Sequence, residues 1–119
     1  MKKIMITFTQ EGWHSWPDAP RWRSYLASPH RHLFHFRVEW KVDADRQLEF
    51  HDMISQAKEQ LWLQHSRMPG IDTGALNFSD FSCEQIAYSL LGDWMGAAPV
   101  PSAVEVWEDG ECGARVEGL

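Results

Sequence analysis

Residues 30–42 read HRHLFHFRVEWKV, and this stretch decides the fold. It is rich in β-branched and aromatic residues and contains no glycine or proline, which is typical of one long strand. Because side chains alternate between the two faces of a strand, His30 and His32 share a face with an apolar run that ends at Val42. The pattern predicts a half-buried strand whose apolar face begins with two histidines.

The His30 and His32 pair has the spacing of metal ligands. Side chains two positions apart on a strand lie about 6–7 Å apart along the chain and point to the same side. This arrangement suits two ligands of a tetrahedral zinc ion, with Zn–N distances of about 2.0–2.1 Å. Two ordinary histidines at the start of a strand give the same pattern, so the pair alone does not establish a site.

His14 is a candidate third ligand. Residues 3–9 alternate as a first strand, and residues 10–29, rich in proline and tryptophan, are predicted to form a loop with packed tryptophans. If the first strand pairs antiparallel with the strand at 30–42, His14 returns beside His30 and His32. Three neutral imidazoles would leave a fourth position open, as in a catalytic zinc site.

The remaining elements complete an α+β pattern. Residues 47–50 resemble a short returning strand, and apolar residues recur at helical spacing from His51 to about Ser66. A second helix is predicted from a capping box at Ser82 and Gln85 to a stop at Gly96, before two strands at 102–107 and 112–117. The order predicts an antiparallel four-stranded sheet with two helices on one face, β-β-α-α-β-β.

Composition limits the classes of function. The 119 residues have the composition of one globular domain covering 1–119, and seven tryptophans with six phenylalanines favour a homo-oligomer or a flat ligand. A net charge of −6 with scattered basic residues argues against nucleic-acid binding. Two cysteines, no signal peptide and no membrane-length apolar run indicate a cytoplasmic protein without a membrane partner.

Five fragments in the right order resemble the 6-pyruvoyl-/6-carboxytetrahydropterin synthase family of the tunnelling fold (T-fold). His14 matches the family's first zinc histidine, and residues 30–34 match its H-G-H-N-Y-type strand. Residues 49–53 are similar to D-F-x-D-L, residues 82–87 to T-x-E-N-I-A, and residues 104–108 to V-x-V-W-E-T. The resemblance covers nearly the whole chain and implies a T-fold with three zinc-binding histidines.

The resemblance also implies roles for individual residues and for the assembly. Glu108 matches the glutamate that anchors the amino-pyrimidine ring of a pterin, and Glu84 lies in the segment assigned to the same substrate. His65 matches the histidine of the family's acid–base pair. Family members form rings of subunits, often trimers stacked into hexamers, with sites between chains.

Three differences from the family concern the chemistry. The family's catalytic cysteine precedes the H-G-H strand, but residues 15–29 contain no cysteine. Gln64-His65 stands where the family has Asp-His, and Arg31 replaces the glycine of H-G-H. These differences argue against cleavage of a dihydroneopterin triphosphate side chain. Cys83, at a predicted helix N-terminus, is either a nucleophile with a lowered pKa or a small buried residue.

These observations support two main functional hypotheses. The first is a divergent zinc-dependent lyase resembling 6-carboxytetrahydropterin synthase, acting on a pterin or 7-deazapurine-type substrate as in queuosine biosynthesis, with His65 transferring protons. The alternative is a non-catalytic T-fold protein that binds a guanine- or pterin-like ligand. A third possibility is a partner-binding module that uses the tryptophan-rich loop.

Overall fold

The computed structural model describes residues 1–92, 94 and 99–118, which form one sheet with helices on one face. The strands are β1 (Lys2–His14), β2 (His30–Val42), β3 (Leu76–Asn77), β4 (Ala103–Glu108) and β5 (Cys112–Glu117). The α-helices are α1 (Phe50–Gln64) and α2 (Cys83–Gly92), and a short 3-10 helix covers Arg21–Leu26. No helix in the described part of the chain has the length and apolar character needed to cross a membrane.

The sheet has five strands in the order β3-β1-β2-β4-β5. The predicted four-stranded antiparallel sheet is therefore wrong, because β3 adds a fifth strand parallel to β1 through the pairs Gly12–Leu76 and Trp13–Asn77. The other three pairings are antiparallel, as expected. A two-residue strand in a glycine-containing loop has no periodicity from which it could be predicted.

The β1–β2 ladder is the centre of the sheet and positions the candidate site. It runs in register from Lys2 opposite Val42 to His14 opposite His30. β1 thus continues five residues beyond the predicted strand end at Thr9. Gly12 permits this continuation, since a Cβ atom there would lie 2.3 Å from the Phe78 ring.

The core lies between the sheet and the two α-helices. The apolar face of β2 is almost completely buried, as its alternation predicts. The helices cover it with the apolar stripes expected from their spacing. The core residues that they contribute include Met53, Ala57 and Leu61 from α1 and Ile86, Ala87 and Leu90 from α2. Burial of each large apolar side chain stabilises the fold by about 1.5–3 kcal/mol.

Helix caps explain where both helices begin. Residues 47–50 do not form the predicted strand, because the Glu49 carboxylate accepts a hydrogen bond from the Asp52 backbone N–H at 2.9 Å and α1 begins at Phe50. The capping box is confirmed: Ser82 Oγ accepts from Gln85 N at 3.1 Å, and Gln85 Oε1 accepts from Ser82 N at 2.8 Å. α2 ends at Gly92, and the predicted stop at Gly96 lies outside the described residues.

Candidate metal centre

The rings of His14, His30 and His32 come together at one end of the sheet. Their centroids are 4.6, 5.3 and 5.0 Å apart for the pairs 14–30, 14–32 and 30–32. One ligand nitrogen from each ring lies within 4.8 Å of the other two. The strand register causes this convergence, because His14 lies opposite His30 and His32 is the next residue of β2 on the same face.

The three rings are held in the orientation of metal ligands. Each Nδ1 atom lies within hydrogen-bond distance of an oxygen: the Phe81 carbonyl 2.8 Å from His14, the Ser28 carbonyl 2.9 Å from His30, and the Asp109 carboxylate 2.7 Å from His32. Carbonyl and carboxylate oxygens only accept, so Nδ1 of each ring carries a proton, and each ring in its neutral form presents the Nε2 lone pair to a metal. Metal-binding histidines are commonly oriented by such partners.

Glu108 at the end of β4 faces the same nitrogens. Its Oε2 atom lies 2.9 Å from Nε2 of His32 and 3.7 Å from Nε2 of His14. The neighbouring His14 ring lowers the pKa of Glu108 more than burial raises it, so this group is a carboxylate at neutral pH. Burial lowers the pKa of His14, but Glu108 and the Phe81 carbonyl together raise it overall.

The donor set fits zinc. Three neutral imidazole nitrogens are the ligands of a common catalytic zinc site. Nε2 of His32 is buried and has no hydrogen-bond partner among the residues that the structure describes. Since buried polar atoms are normally hydrogen-bonded, an oriented and unsatisfied ring nitrogen is the condition expected of a metal ligand.

A cavity of about 480 Å³ opens beside the histidines. This volume is within the range of small-molecule sites, roughly 300–1,000 Å³. Its lining combines carboxylates, aromatic rings and both cysteines, and it includes His14, His30, Trp16, Phe81, Cys83, Glu84, Glu108 and Cys112. The two predicted substrate-binding residues, Glu84 and Glu108, therefore lie on the cavity wall next to two of the predicted metal ligands.

His65 lies elsewhere in the chain's fold. It follows α1, and its ring packs against Phe78 and Phe81 with centroid distances of 4.7 and 5.5 Å. It lines a second cavity of about 370 Å³ together with Trp62 and Arg67. Burial lowers the pKa of His65 to about 4, so the ring is neutral at pH 7. One chain does not bring His65 to the three-histidine cluster.

Cys83 is a small buried residue and not an activated nucleophile. Burial, with a smaller effect from the Glu108 charge, raises the pKa of its thiol to about 12. The prediction of a lowered pKa at the start of α2 is therefore wrong, because desolvation outweighs the favourable field of a helix N-terminus. The other predicted alternative, a buried cysteine that packs in the core, describes the residue.

The tryptophans of the 10–29 segment are less packed than predicted. The exposed fractions of Trp16 and Trp22 are 48% and 77%. The backbone N–H of Trp16 donates to the Leu26 carbonyl at 2.7 Å, which fixes this tryptophan at the cavity mouth. The prediction of packed side chains is wrong for both residues, because this segment crosses the surface beside the cavity and not over the core.

Sequence reasoning missed the residues that orient the histidines. The Ser28 and Phe81 carbonyls are backbone groups and carry no side-chain signature. Asp109 was available as the acidic residue of a D-G turn, but a turn aspartate is usually solvated. Only the register between β2 and β4 brings it to His32, since Phe34 lies opposite Glu108.

No protein-family model matches this chain, and no curated protein matches its sequence. Among solved structures, the chain is similar to the 6-pyruvoyl tetrahydropterin synthase of Caenorhabditis elegans, with a TM-score of 0.60 and 12% sequence identity. The match covers 99% of this chain and 96% of that chain. At this identity the likeness shows the fold, so the α+β T-fold expected from the sequence resemblance is confirmed.

Proposed function

We propose that the protein is a divergent relative of the 6-carboxytetrahydropterin synthases, a zinc-dependent lyase-type enzyme that acts on a pterin- or purine-like small molecule. One observation carries this proposal: one ring nitrogen from each of His14, His30 and His32 lies within 4.8 Å of the other two beside a carboxylate-lined cavity. A protein that used these histidines only for packing would have no need to orient all three Nδ1 atoms outward.

Different residues of the chain would have different roles at such a site. His14, His30 and His32 would hold zinc, and bound zinc would polarise a carbonyl or hydroxyl group of the substrate. The carboxylates of Glu84 and Glu108 would accept hydrogen bonds from the ring N–H and exocyclic amine of the ligand. Exposed Trp16 offers an aromatic face to a flat ring at the same opening.

We assign proton transfer to His65 of a neighbouring copy. His65 is neutral at pH 7, because burial lowers its pKa, so its ring is able to accept a proton. Its Nε2 atom is buried and has no hydrogen-bond partner among the described residues, so a ligand would have to enter the adjoining cavity to reach it. His65 lines a different cavity from the one beside the histidine cluster, so this assignment would place the site between chains of a homo-oligomer.

The sheet has edges suited to such an oligomer. β5 is one edge, and residues 2–11 of β1 have no partner on their outer side among the described strands. Pairing of one edge with the opposite edge of another copy would be head-to-tail, the kind of interface from which ring-shaped trimers and hexamers are built.

A second function is favoured by the protonated thiol of Cys83 and by the lack of a cysteine in residues 15–29. A T-fold protein with these features would bind a guanine- or pterin-like ligand without converting it. The two functions share the metal and the cavity, and they differ in whether product forms.

Metal analysis of the purified protein tests the proposal first. We expect about one zinc ion per chain and its loss in a His30→Ala, His32→Ala double variant. His35→Ala is the matched control, because His35 lies on the opposite face of β2. Wild-type protein that binds no zinc would contradict the proposal.

Turnover assays then separate the two functions. Wild-type protein is incubated with dihydropterin triphosphates, and binding of pterins and guanine nucleotides is measured by calorimetry. Product that disappears in the double variant supports the lyase. Tight binding without product over hours supports the non-catalytic protein. Light scattering provides the assembly test, and a monomer would contradict a site shared between chains.

A further inference from the structure

We infer that Glu108 is a fourth protein ligand of the metal, which leaves Glu84 as a cavity carboxylate that binds the ring. This inference rests on the proposed metal site and refines it, because it moves Glu108 from the ring to the metal. Four observations carry it: two distances, the direction of a contact, the position of the side chain, and its charge.

The distances from Glu108 to two of the histidines are those between ligands of one ion. Ligand atoms bound at about 2.0–2.1 Å in a tetrahedral zinc site lie roughly 3.4 Å from each other. The Glu108 Oε2 atom lies 2.9 Å from His32 Nε2 and 3.7 Å from His14 Nε2, on either side of that value. The carboxylate therefore occupies the side of the cluster formed by His14 and His32.

The direction of the contact with His32 is not that of a hydrogen bond. Although Oε2 of Glu108 is only 2.9 Å away, Nε2 of His32 has no partner with hydrogen-bond geometry in the described chain. The oxygen therefore lies to the side of the nitrogen's lone pair instead of along it. When two ligand atoms point at one ion, each lies to the side of the other's lone pair.

The backbone holds Glu108 in this position. Glu108 ends β4 directly opposite Phe34, two residues after His32. The next residue, Asp109, ties the hairpin to β2 in both directions: its backbone N–H donates to the Leu33 carbonyl at 2.8 Å, and its carboxylate accepts from the Leu33 N–H at 2.9 Å. The pairing of β2 with β4 therefore places Glu108 close to the histidines.

The charge of Glu108 suits a divalent cation. Its side chain is 27% exposed and faces the imidazoles of His14 and His32, so a carboxylate there would compensate part of a 2+ charge at low solvent exposure. Glu84 differs in both respects: it is exposed on the first turn of α2, and it has no hydrogen-bond or ion-pair partner among the described residues. Glu84 is thus free to bind a ring, and exposed Asp80 is a further carboxylate on the same cavity wall.

The chemical consequence concerns access to the metal. Three histidines leave a position open, whereas three histidines and a carboxylate form a closed four-coordinate site. A substrate oxygen would reach the ion only by displacing Glu108 or by adding a fifth ligand. The ring carboxylate and the metal carboxylate would then be separate residues on one cavity wall.

Zinc affinity and the visible spectrum of cobalt-substituted protein test this inference. Wild type is compared with Glu108→Gln, Glu108→His, Glu84→Gln and Glu111→Gln by chelator competition and by the intensity of the cobalt d–d bands. We expect Glu108→Gln to weaken zinc binding by at least the roughly 10- to 100-fold that loss of an outer-shell partner causes, and to change the d–d spectrum. Glu108→His supplies another ligand and should keep binding close to wild type.

Two matched controls isolate the role of position 108. Glu111→Gln removes the same charge from the same hairpin, at a residue whose side chain is exposed. Glu84→Gln removes a second cavity carboxylate, and we expect it to weaken binding of pterin and guanosine while zinc affinity stays unchanged. Thermal unfolding of each metal-free variant checks that the fold is intact.

The outcomes distinguish the inference from the proposed function. If the wild type binds zinc and Glu108→Gln binds it equally well with an unchanged cobalt spectrum, Glu108 is not a ligand and the metal site stands. If the wild type binds no zinc, both the proposed function and this inference are overturned. If Glu84→Gln weakens zinc binding as much as Glu108→Gln does, the separation of the two carboxylates is wrong.

Discussion

Oδ2 of Asp109 lies 2.7 Å from Nδ1 of His32, which joins the last hairpin of the chain to the first residues of β2. Asp109 has φ of 55°, in the left-handed region that aspartate and asparagine tolerate better than most residues. The other oxygen of this carboxylate accepts from the Leu33 backbone. One turn residue therefore fixes both a ring and the strand that carries it.

Asp109→Asn should weaken metal binding without unfolding the protein. Asparagine keeps the left-handed turn and an acceptor for one donor, but it loses the charge that strengthens the hydrogen bond from His32 Nδ1. We expect zinc affinity to fall about 10-fold, at the lower end of the range for such partners. Chelator competition measures it, with exposed Asp72→Asn as the control; equal affinities would contradict the role of Asp109.

His65 should make stability depend on pH. Because burial lowers its pKa in the folded state to about 4, against 6.5 for an ordinary histidine, the unfolded chain takes up a proton that the folded chain refuses. The free energy of unfolding should therefore fall as pH decreases from 6.5 to 4, by about 3 kcal/mol for this group. Above pH 6.5 its contribution does not change.

Urea unfolding between pH 4 and pH 8 measures the His65 effect. His65→Phe keeps an aromatic ring against Phe78 and removes the titrating group, so its stability should vary less with pH over this interval. His51→Phe is the control, because His51 is exposed on the first turn of α1. A pH profile of His65→Phe identical to that of the wild type would contradict the assignment.

Gly12→Ala should destabilise the sheet next to the site. The added Cβ would lie 2.3 Å from one Phe78 ring carbon and 3.1 Å from the Phe34 ring, and both rings are fully buried. Overpacking of this kind costs about 1–3 kcal/mol. Denaturant unfolding checks the value, with Gly92→Ala as the control, where a Cβ meets no atom within 4 Å. Equal stability of the two variants would show that Phe78 moves freely.

Arg115→Met should destabilise the protein, because it removes a charge that compensates the buried Glu39 carboxylate. Glu39 is 3% exposed and accepts from Arg115 Nη2 at 2.9 Å, and this guanidinium lowers the pKa of Glu39. Removal of one partner leaves a buried charge, partly compensated by Arg37 at 3.4 Å. We expect a loss of about 2–3 kcal/mol in urea unfolding, below the range for fully buried pairs because the arginine is itself partly exposed.

A double variant provides the check on Arg115. Glu39→Gln with Arg115→Met removes both charges, so most of the lost stability should return. If the double variant is as unstable as Arg115→Met alone, packing of the arginine stem and not charge is responsible.

The β1–β2 core of the site could be predicted because its signals are local. Alternation along residues 30–42 places His30 and His32 on the buried face, and antiparallel pairing with β1 is enough to bring back His14. The helical stripes of α1 and α2 were predictable for the same reason, since their apolar residues follow one period.

What could not be predicted depends on long-range register or on backbone atoms. β3 is two residues long and exists because it lies beside Gly12, and no pattern within residues 67–81 reveals it. The contact between His32 and Asp109 joins residues 77 positions apart. The strand predicted at 47–50 failed because the cap at Glu49 starts α1 there, and capping by glutamate is a weak sequence signal.

The oxygens that orient the three rings come from segments far apart in sequence: the turn before β2, the start of α2 and the last hairpin. No short fragment of the chain contains both the three histidines and all the oxygens that orient them. An ion bound there would therefore report on cooperative unfolding of the whole domain. It should be released in the same transition that abolishes the near-ultraviolet circular dichroism of the tryptophans.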